Sequence, residues 1–135
     1  MTTSKIGERS LCSLLFKTTP NYDANLQTLL TLINQSKEKS IIVAPEVCLT
    51  GFDYENLERV LEFAQVANEE LAKASMEKIV ICSIIEKIDD KIFNLAKVFY
   101  NGKVIHARAK ARLFRFGGEH KHFDEGMDED IEILE

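Results

Sequence analysis

Residues 41–52 read Ile-Ile-Val-Ala-Pro-Glu-Val-Cys-Leu-Thr-Gly-Phe, an apolar run followed by a carboxylate and a short turn. The run at 41–44 has the length and the β-branched side chains of a buried strand. Pro45 cannot donate a hydrogen bond to a sheet, so we expect the strand to end there and Glu46 to lie just past its carboxyl end. In open α/β sheets that position usually carries ligand-binding groups.

Strand and helix patterns alternate on both sides of this segment. Short apolar runs at 11–16 and 79–85 predict two further strands, the second covered on both faces. Asp23 can cap a helix whose apolar side chains recur at helical spacing. A second stripe between 57 and 71 predicts another amphipathic helix. The two stripes are Leu26, Leu29, Leu30 and Ile33, and Leu57, Val60, Leu61, Ala64, Ala67 and Leu71.

The pattern changes after Asp89-Asp90. The segments 95–100 and 103–108 flank Asn101-Gly102, which is a strong signal for a β-hairpin. Strand, helix, strand, helix, strand and hairpin together predict an α/β fold with a mixed sheet. We find no internal repeat or linker, so residues 1–135 are predicted to form a single domain.

An acidic tail at 124–135 is predicted to be either a loop with one short strand at 131–134 or frayed. Seven acidic residues follow Lys121 and account for a charge of −7, which leaves +2 for the rest of a chain whose net charge is −5. Neither part has the clustered Lys and Arg with aromatic partners of a nucleic-acid surface, so we expect no nucleic-acid partner.

Composition places the chain among soluble proteins. It is 45% hydrophobic and 29% charged, without an apolar run near the roughly 18 residues of a membrane span. We expect no membrane contact and, because residues 1–10 lack a secretory signal, a cytoplasmic location. Cys12, Cys48 and Cys82 lie in apolar stretches without CxxC spacing, which favours reduced, buried thiols over disulfides or zinc ligands.

Two charged residues late in the chain are candidate partners for Glu46. Lys110 follows the second hairpin strand, and Gly117-Gly118 permit a sharp turn that would bring Glu119 back toward it. The three side chains would supply a base, a cation for a developing oxyanion and a second carboxylate to orient them. Simpler interpretations also stand: Glu46 caps the turn at 47–51 through backbone amides, and Lys110 belongs to a solvated basic stretch.

A metal site at His120 and His122 is a weaker hypothesis. The spacing of the two histidines is unspecific, and Lys121 between them opposes metal binding. We therefore expect no metal at these histidines.

Residues 41–52 resemble the first motif of the nitrilase superfamily of carbon–nitrogen hydrolases. Further stretches resemble the strands and the lysine segment of the same family, in order, so that the match runs from about Leu11 to Gly126. These stretches are Asn94-Leu95-Ala96, Asn101-Gly102, and the segment that contains Lys110, Leu113, Phe116, Glu119, Phe123 and Gly126.

The resemblance implies one half of a four-layer α-β-β-α sandwich that hydrolyses a small amide or nitrile without metal or organic cofactor. It implies that Glu46 is the general base, that Lys110 stabilises the tetrahedral intermediate and that Glu119 assists. In the family a cysteine thiolate attacks the carbonyl or nitrile carbon, and water then cleaves the thioester.

The nucleophilic cysteine of the family has no counterpart here. It lies a few tens of residues beyond the lysine, whereas 25 residues follow Lys110 in this sequence and none is cysteine. Cys48, two positions past Glu46, is a poor substitute because the family has a structural residue in that turn. The sequence thus resembles the N-terminal half of the enzyme.

Two functional hypotheses follow from the missing nucleophile. The chain is a truncated or split carbon–nitrogen hydrolase that is inactive alone, or it is a non-catalytic binding or assembly module. Under both, the apolar faces that would meet a second half are expected to be exposed, and self-association, most simply as a homodimer, is expected to cover them.

Overall fold

The computed structural model describes residues 2–6 and 9–127, and these form one six-stranded sheet with two α-helices. The strands are β1 (Thr2–Ile6), β2 (Arg9–Ser13), β3 (Ser40–Val43), β4 (Ile79–Ile88), β5 (Lys91–Tyr100) and β6 (Lys103–Ala109). The helices are α1 (Tyr22–Gln35) and α2 (Leu57–Ala74), and short 3₁₀ turns occupy Tyr54–Asn56, Arg115–Gly117 and Glu119–Lys121. The predicted α/β class is confirmed.

Strand order in the sheet follows chain order, from β1 to β6. The pairs β2 with β3 and β3 with β4 are parallel, and their connections contain α1 and α2. The pairs β1 with β2, β4 with β5 and β5 with β6 are antiparallel. The sheet is therefore mixed, as predicted.

The first strand differs from its prediction. The apolar run at 11–16 leaves the sheet after Ser13, and Leu15 is 82% exposed. The strand instead begins at Arg9 and pairs with β1, which the sequence analysis did not predict. The segment Thr-Thr-Ser-Lys-Ile of β1 carries one large apolar residue and so lacks the pattern of a core strand. Short polar strands of this kind are typical of sheet edges.

The N-cap of α1 is Asn21, and the prediction of Asp23 as the cap was wrong. The Asn21 side chain accepts a hydrogen bond from the backbone N–H of Ala24 at 3.0 Å. Asp23 lies inside the first turn, where its negative charge favours the N-terminal end of the helix dipole. Asn and Asp are both favoured at the N-cap, so residue type alone did not separate them.

Two consecutive hairpins complete the sheet. Asn101 and Gly102, with φ of 48° and 82°, form the predicted turn between β5 and β6. Asp89 and Asp90, with φ of 49° and 66°, form a second tight turn between β4 and β5. The change of pattern noted at these aspartates is thus a hairpin, and β5 begins four residues earlier than the predicted run at 95–100.

Both helices pack on one face of the sheet and form the main core. Side chains from alternate strand positions meet the apolar stripes of α1 and α2 there, at exposures of 0–2%. These core residues include Cys12, Ile42, Val80, Cys82 and Phe99 from the strands and Leu29, Ile33, Ala67 and Leu71 from the helices. All three cysteines are free and buried, as predicted.

The opposite face of the sheet carries two cross-strand rows of apolar side chains. The first row is Leu11, Ile41, Ile79 and Tyr100, and the second is Val43, Ile81 and Val98. We call these seven residues the open sheet face, because α1 and α2 both lie on the other side. The described residues therefore form two layers, one of helix and one of sheet, and the four-layer sandwich stays a prediction.

Some sequence predictions fall outside the described residues. The short strand predicted at 131–134 and most of the acidic tail at 124–135 are among them, and the division into domain and tail stays a prediction. Within the part of the chain that the structure describes, neither helix is long and apolar enough to cross a membrane.

Candidate active site

The structure brings together the three candidate residues of the sequence analysis. Lys110 Nζ lies 2.7 Å from Glu46 Oε1 and 3.2 Å from Glu119 Oε2, so one ammonium group bridges two carboxylates. Their side chains are exposed to different extents: 52% for Glu46, 30% for Lys110 and 2% for Glu119. The cluster therefore has a solvent-facing carboxylate and a buried one on either side of the cation.

Glu46 is placed by the turn that follows β3. Val47 adopts φ of 47°, a left-handed conformation that is strained for a β-branched residue. Its N–H donates to Ser83 Oγ on β4 at 2.6 Å, and its carbonyl accepts from Gly51 N at 2.8 Å. These bonds hold the strained residue next to Glu46, so the backbone that carries the carboxylate is firmly positioned.

Contacts of the Glu46 carboxylate are to side chains. Its Oε1 accepts from Asn94 Nδ2 at 3.2 Å as well as from Lys110. Asn94 lies on β5 and is 2% exposed, which makes it a buried amide directed at the site. This arrangement favours the site interpretation of Glu46 over the alternative in which the carboxylate caps the backbone of its own turn.

The backbone of Lys110 is held on both sides. Its N–H donates to the carbonyl of Asn94 at 2.8 Å, and its carbonyl accepts from Gly126 N at 2.9 Å. Burial by itself lowers the pKa of Lys110, but hydrogen bonds and charge from Glu46 and Glu119 outweigh it and raise the pKa above its usual value. Lys110 is therefore a cation at neutral pH, and the solvated-face interpretation does not describe its surroundings.

Glu119 reaches the cluster through the predicted glycine turn. Gly118 adopts φ of 79°, a left-handed conformation, and the Glu119 N–H donates to Phe114 O at 3.2 Å. Glu119 Oε2 contacts Lys110, whereas Oε1 is buried and has no hydrogen-bond partner among the described residues. A buried carboxylate oxygen without a donor is costly, which makes the cation at Oε2 essential to this arrangement.

Two cavities adjoin the cluster. The larger, about 580 Å³, lies between the carboxylates and an aromatic wall. The smaller, about 280 Å³, lies on the side of the open sheet face. The larger is lined by Glu46, Phe52, Tyr54, Lys110, Arg112, Leu113, Phe114, Gly117 and Glu119, and the smaller by Glu46, Ser83, Asn94, Ala96, Arg108, Ala109, Lys110 and Ala111. Both are of a size that admits a small organic molecule.

Tyr54 and Asn94 are site residues to which the sequence analysis gave no role. Burial and the nearby carboxylates of Glu119 and Glu46 raise the pKa of Tyr54, while Lys110 opposes that shift. The Tyr54 ring stacks on His122, with ring centroids 4.0 Å apart. A tyrosine near the end of the Glu46 motif carried no signal of its own. Asn94 had one, because a polar residue at the start of an apolar strand run is unusual.

Neither cavity is lined by a cysteine. Cys48 is 0% exposed and packs in the main core with Cys12 and Cys82. A hydrogen bond with Cys48, reinforced by burial, raises the pKa of the Cys82 thiol well above its usual value. The described cluster therefore combines two carboxylates with a cation, and neither adjoining cavity brings a thiol to it.

The histidines do not form a metal centre with their neighbours. His122 is engaged in the ring stack with Tyr54, and His120 Nδ1 is buried without a hydrogen-bond partner among the described residues. In the described ranges, no three His, Cys, Asp or Glu side chains are grouped in a way that would hold a metal ion.

Comparison with known proteins defines the fold. No family model matches the sequence, and no curated protein matches it. Solved structures do match: the glutamine-dependent NAD+ synthetase from Acinetobacter baumannii has a TM-score of 0.77 at 23% identity, covering 87% of this chain and 24% of that chain. The carbon–nitrogen hydrolase from Helicobacter pylori G27 has a TM-score of 0.76 at 14% identity, covering 87% and 44%.

An amidase from Nesterenkonia sp. has a TM-score of 0.73 at 16% identity, covering 87% of this chain and 48% of that chain. This chain thus has the fold found in proteins described as members of the nitrilase superfamily and as carbon–nitrogen hydrolases. It spans between about a quarter and a half of the length of these three matched chains.

Proposed function

We propose that this chain belongs to the nitrilase superfamily and forms the glutamate- and lysine-bearing half of a site that hydrolyses small amides. The observation that carries the proposal is the Lys110 ammonium held between Glu46 and Glu119 at the wall of two cavities. The matched structures support the substrate class, since they include an amidase, and a double mutant of that amidase is described in complex with acrylamide.

In the proposed reaction Glu46 acts as the general base. It accepts the proton of a cysteine thiol that lies outside this sequence, and the thiolate attacks the amide carbon. Glu46 then returns the proton to the leaving nitrogen, and the C–N bond of the tetrahedral intermediate breaks to give ammonia and a thioester. Glu46 next takes a proton from water as the oxygen attacks the thioester carbon, and it returns that proton to the sulfur as the C–S bond breaks and the carboxylic acid is released. The sum is amide plus water to carboxylic acid plus ammonia.

Lys110 stabilises the negative oxygen of both tetrahedral intermediates. An ammonium group has three N–H donors, and two of them are directed at Glu46 and Glu119. The third is then available to a substrate oxygen in the adjoining cavity. Because the two carboxylates raise its pKa, Lys110 keeps its charge at neutral pH and needs no reorganisation when charge develops on the substrate.

Glu119 is proposed to position Lys110 rather than to touch the substrate's reacting atoms. It is nearly fully buried, so its charge acts in a medium of low dielectric constant and holds the ammonium group strongly. It also balances part of the lysine charge in the resting site.

The first test measures ammonia release and amide binding with the purified chain. We expect no turnover of small amides or nitriles, because all three thiols of the sequence are buried. We expect acetamide and acrylamide to shift the backbone NMR signals of residues around the larger cavity in a saturable way. Glu46→Gln should weaken these shifts, whereas Glu62→Gln, an exposed site on α2, should leave them unchanged.

Either of two results would overturn the proposal. Ammonia release by the purified chain would place a working nucleophile inside this sequence. Absence of saturable shifts in the wild-type chain would remove the amide site itself.

A second candidate function is a non-catalytic binding or assembly module. The burial of Cys12, Cys48 and Cys82 favours it, because a module that does not turn over needs no thiol at the site. Co-expression with the polypeptide encoded immediately downstream separates the two functions. Ammonia release by the co-purified pair, lost in Glu46→Gln, supports the half-site, and amide binding without turnover in the pair supports the module.

A further inference from the structure

Three aromatic rings line the larger cavity beside the charged cluster. They belong to Phe52, Tyr54 and Phe114, and we call them the aromatic wall. The cavity volume of about 580 Å³ lies inside the range of roughly 300–1,000 Å³ that is usual for sites of drug-sized ligands. Acetamide and acrylamide would fill only a small part of this volume, so the cavity has room for a larger acyl group.

Two rings of the wall are held in place by their neighbours. The Phe52 ring centroid lies 6.1 Å from that of Tyr54 and 6.4 Å from that of Phe123, and the centroids of Tyr54 and Phe123 are 5.5 Å apart. Phe123 is buried, and His122 stacks on Tyr54 from another side. This part of the wall is therefore formed before a ligand binds, and little conformational entropy is lost on binding.

The third ring of the wall, that of Phe114, lies against a glycine. A Cβ atom added at Gly117 would be 2.6 Å from Cδ1 and 2.9 Å from Cε1 of Phe114. Glycine leaves room for the ring at this place, whereas any larger residue at 117 would displace it. Gly117 also lines the cavity, so the position of the Phe114 ring in the wall depends on the absence of a side chain there.

The charges that line the larger cavity are balanced. Glu46 and Glu119 stand against Lys110 and Arg112, so the formal charges sum to zero. Both carboxylates bond to Lys110. The tyrosine hydroxyl is the one polar side-chain group among the other lining residues, which are Phe52, Tyr54, Leu113, Phe114 and Gly117. A cavity of this composition suits a neutral ligand with an apolar body and a polar end.

Lys110 sets the distance between a bound carbonyl group and the wall. Its Nζ is 6.0 Å from the centroid of the Phe52 ring. A carbonyl oxygen that accepts a hydrogen bond from Nζ lies about 2.9 Å from it. A ring bonded directly to that carbonyl carbon can then approach Phe52 to a centroid separation of about 4.5–7 Å, which is the range that aromatic pairs favour.

We propose that the larger cavity takes an amide whose acyl group carries a flat aromatic ring, with the carboxamide at Lys110 and the ring against the aromatic wall. The inference rests on the proposed function and adds the class of the acyl group to it. Aromatic rings attract one another in offset or edge-to-face geometry beyond the effect of buried area, so the wall distinguishes a flat ring from a saturated ring of similar size. Benzamide is the simplest ligand of this class.

NMR titration of the purified chain with benzamide, cyclohexanecarboxamide and acetamide tests the inference. We expect benzamide to bind at least about 10-fold more tightly than acetamide, because its ring buries apolar surface that acetamide lacks. We expect it to bind about 3-fold more tightly than cyclohexanecarboxamide, which matches benzamide in size but makes no aromatic pair.

Two wall variants, Phe52→Leu and Gly117→Ala, should each weaken benzamide binding about 3- to 10-fold and leave acetamide binding unchanged. The matched control is Phe93→Leu, since Phe93 is a partly exposed residue of β5 that lines neither cavity, and this variant should bind both amides as the wild-type chain does. Glu46→Gln should weaken the binding of both amides. Circular dichroism shows whether each variant is folded.

The outcomes separate this inference from the proposed function. Benzamide that binds no more tightly than cyclohexanecarboxamide overturns the inference, and so does benzamide binding that both wall variants leave unchanged. In either case acetamide binding that depends on Glu46 leaves the proposed function standing. Failure of all three amides to bind would remove the amide site and the inference with it.

Discussion

At the scale of single residues, the site depends on one cation shared by two unequal carboxylates. Glu46 is half exposed and keeps access to water, whereas Glu119 is buried and relies on Lys110 as its cation. Loss of the cation should therefore affect the two carboxylates differently. Water can replace the lysine at Glu46, but a buried carboxylate without a partner retains most of its desolvation cost.

We predict that Lys110→Met lowers the free energy of unfolding by about 2–3 kcal/mol at neutral pH, since it leaves the Glu119 charge buried. Urea denaturation followed by circular dichroism measures the loss. Lys73→Met is the matched control, because Lys73 pairs with Glu70 3.3 Å away at a 73% exposed position and such pairs contribute about 0.5 kcal/mol.

The double variant Lys110→Met with Glu119→Gln should recover part of the stability that Lys110→Met loses. Equal losses in the single and double variants would contradict the assignment of Glu119 as the group that requires the cation.

At the scale of elements, residues 110–126 act as a strap that returns to the sheet. Asp124 N donates to Ile92 O at 2.7 Å, its Oδ2 accepts from Ile92 N at 2.8 Å, and Gly126 N donates to Lys110 O at 2.9 Å. The turn that carries Glu119 is thus fixed at its far end as well as at Lys110. A Cβ atom added at Gly126 would lie 2.7 Å from the Cβ of Ala109 and closer still to the carbonyl oxygen of Ala109.

We predict that Gly126→Ala lowers the free energy of unfolding by about 2 kcal/mol, because the added methyl group must push the strap away from β6. Thermal unfolding should show a midpoint lower by roughly 5–10 °C. Met127→Ala, at the next and 76% exposed position, should change the midpoint little. If Gly126→Ala unfolds at the same midpoint temperature as the wild-type chain, the strap does not pack against Ala109.

Elements with strong periodicity were predictable, and those that depend on long-range pairing were not. The stripes of α1 and α2 and the turn at Asn101-Gly102 are local signals, and the structure agrees with them. Strand β1 carries no such signal, because its polar sequence becomes a strand only by pairing with β2. The end of β2 is likewise set by pairing with its neighbours. The apolar run at 11–16 therefore predicts a strand that continues past Ser13, where β2 ends in the structure.

The contact between Glu46 and Lys110 also depends on long-range strand pairing. The two residues are 64 positions apart, and β4 and β5 lie between the strands that precede them. Lys110 reaches Glu46 because its backbone N–H, directly after β6, bonds to Asn94 on β5, whose side chain also contacts Glu46. Residue types predicted the three side chains of the cluster, whereas their distances and the burial of Glu119 follow from the topology of the sheet.

At the scale of the whole molecule, the three thiols report on the main core. Cys12, Cys48 and Cys82 are at most 2% exposed and lie in one apolar cluster, so a reagent reaches them only when that cluster opens. Opening of a main core requires most of the free energy of global unfolding.

We predict that thiol reagents modify the native chain at least about 1,000-fold more slowly than the chain in denaturant, as expected when the open state is rarely populated. Mass spectrometry after timed labelling with iodoacetamide measures the rates. Leu15→Cys, at an 82% exposed position, supplies a control thiol that should react at once in the same molecule. Rapid labelling of Cys48 in the native chain would show that this thiol is accessible to substrates as well.

The order of the strands also bears on how the sheet is assembled as the chain is synthesised. Every strand from β2 onward pairs with the strand that precedes it in the chain, so none has to insert between two strands already joined. A partner for each new strand has therefore already left the ribosome when that strand emerges. The six described strands can join in the order of translation, from β1 to β6, and the site, which needs residues 110–126, is closed only after these strands have paired.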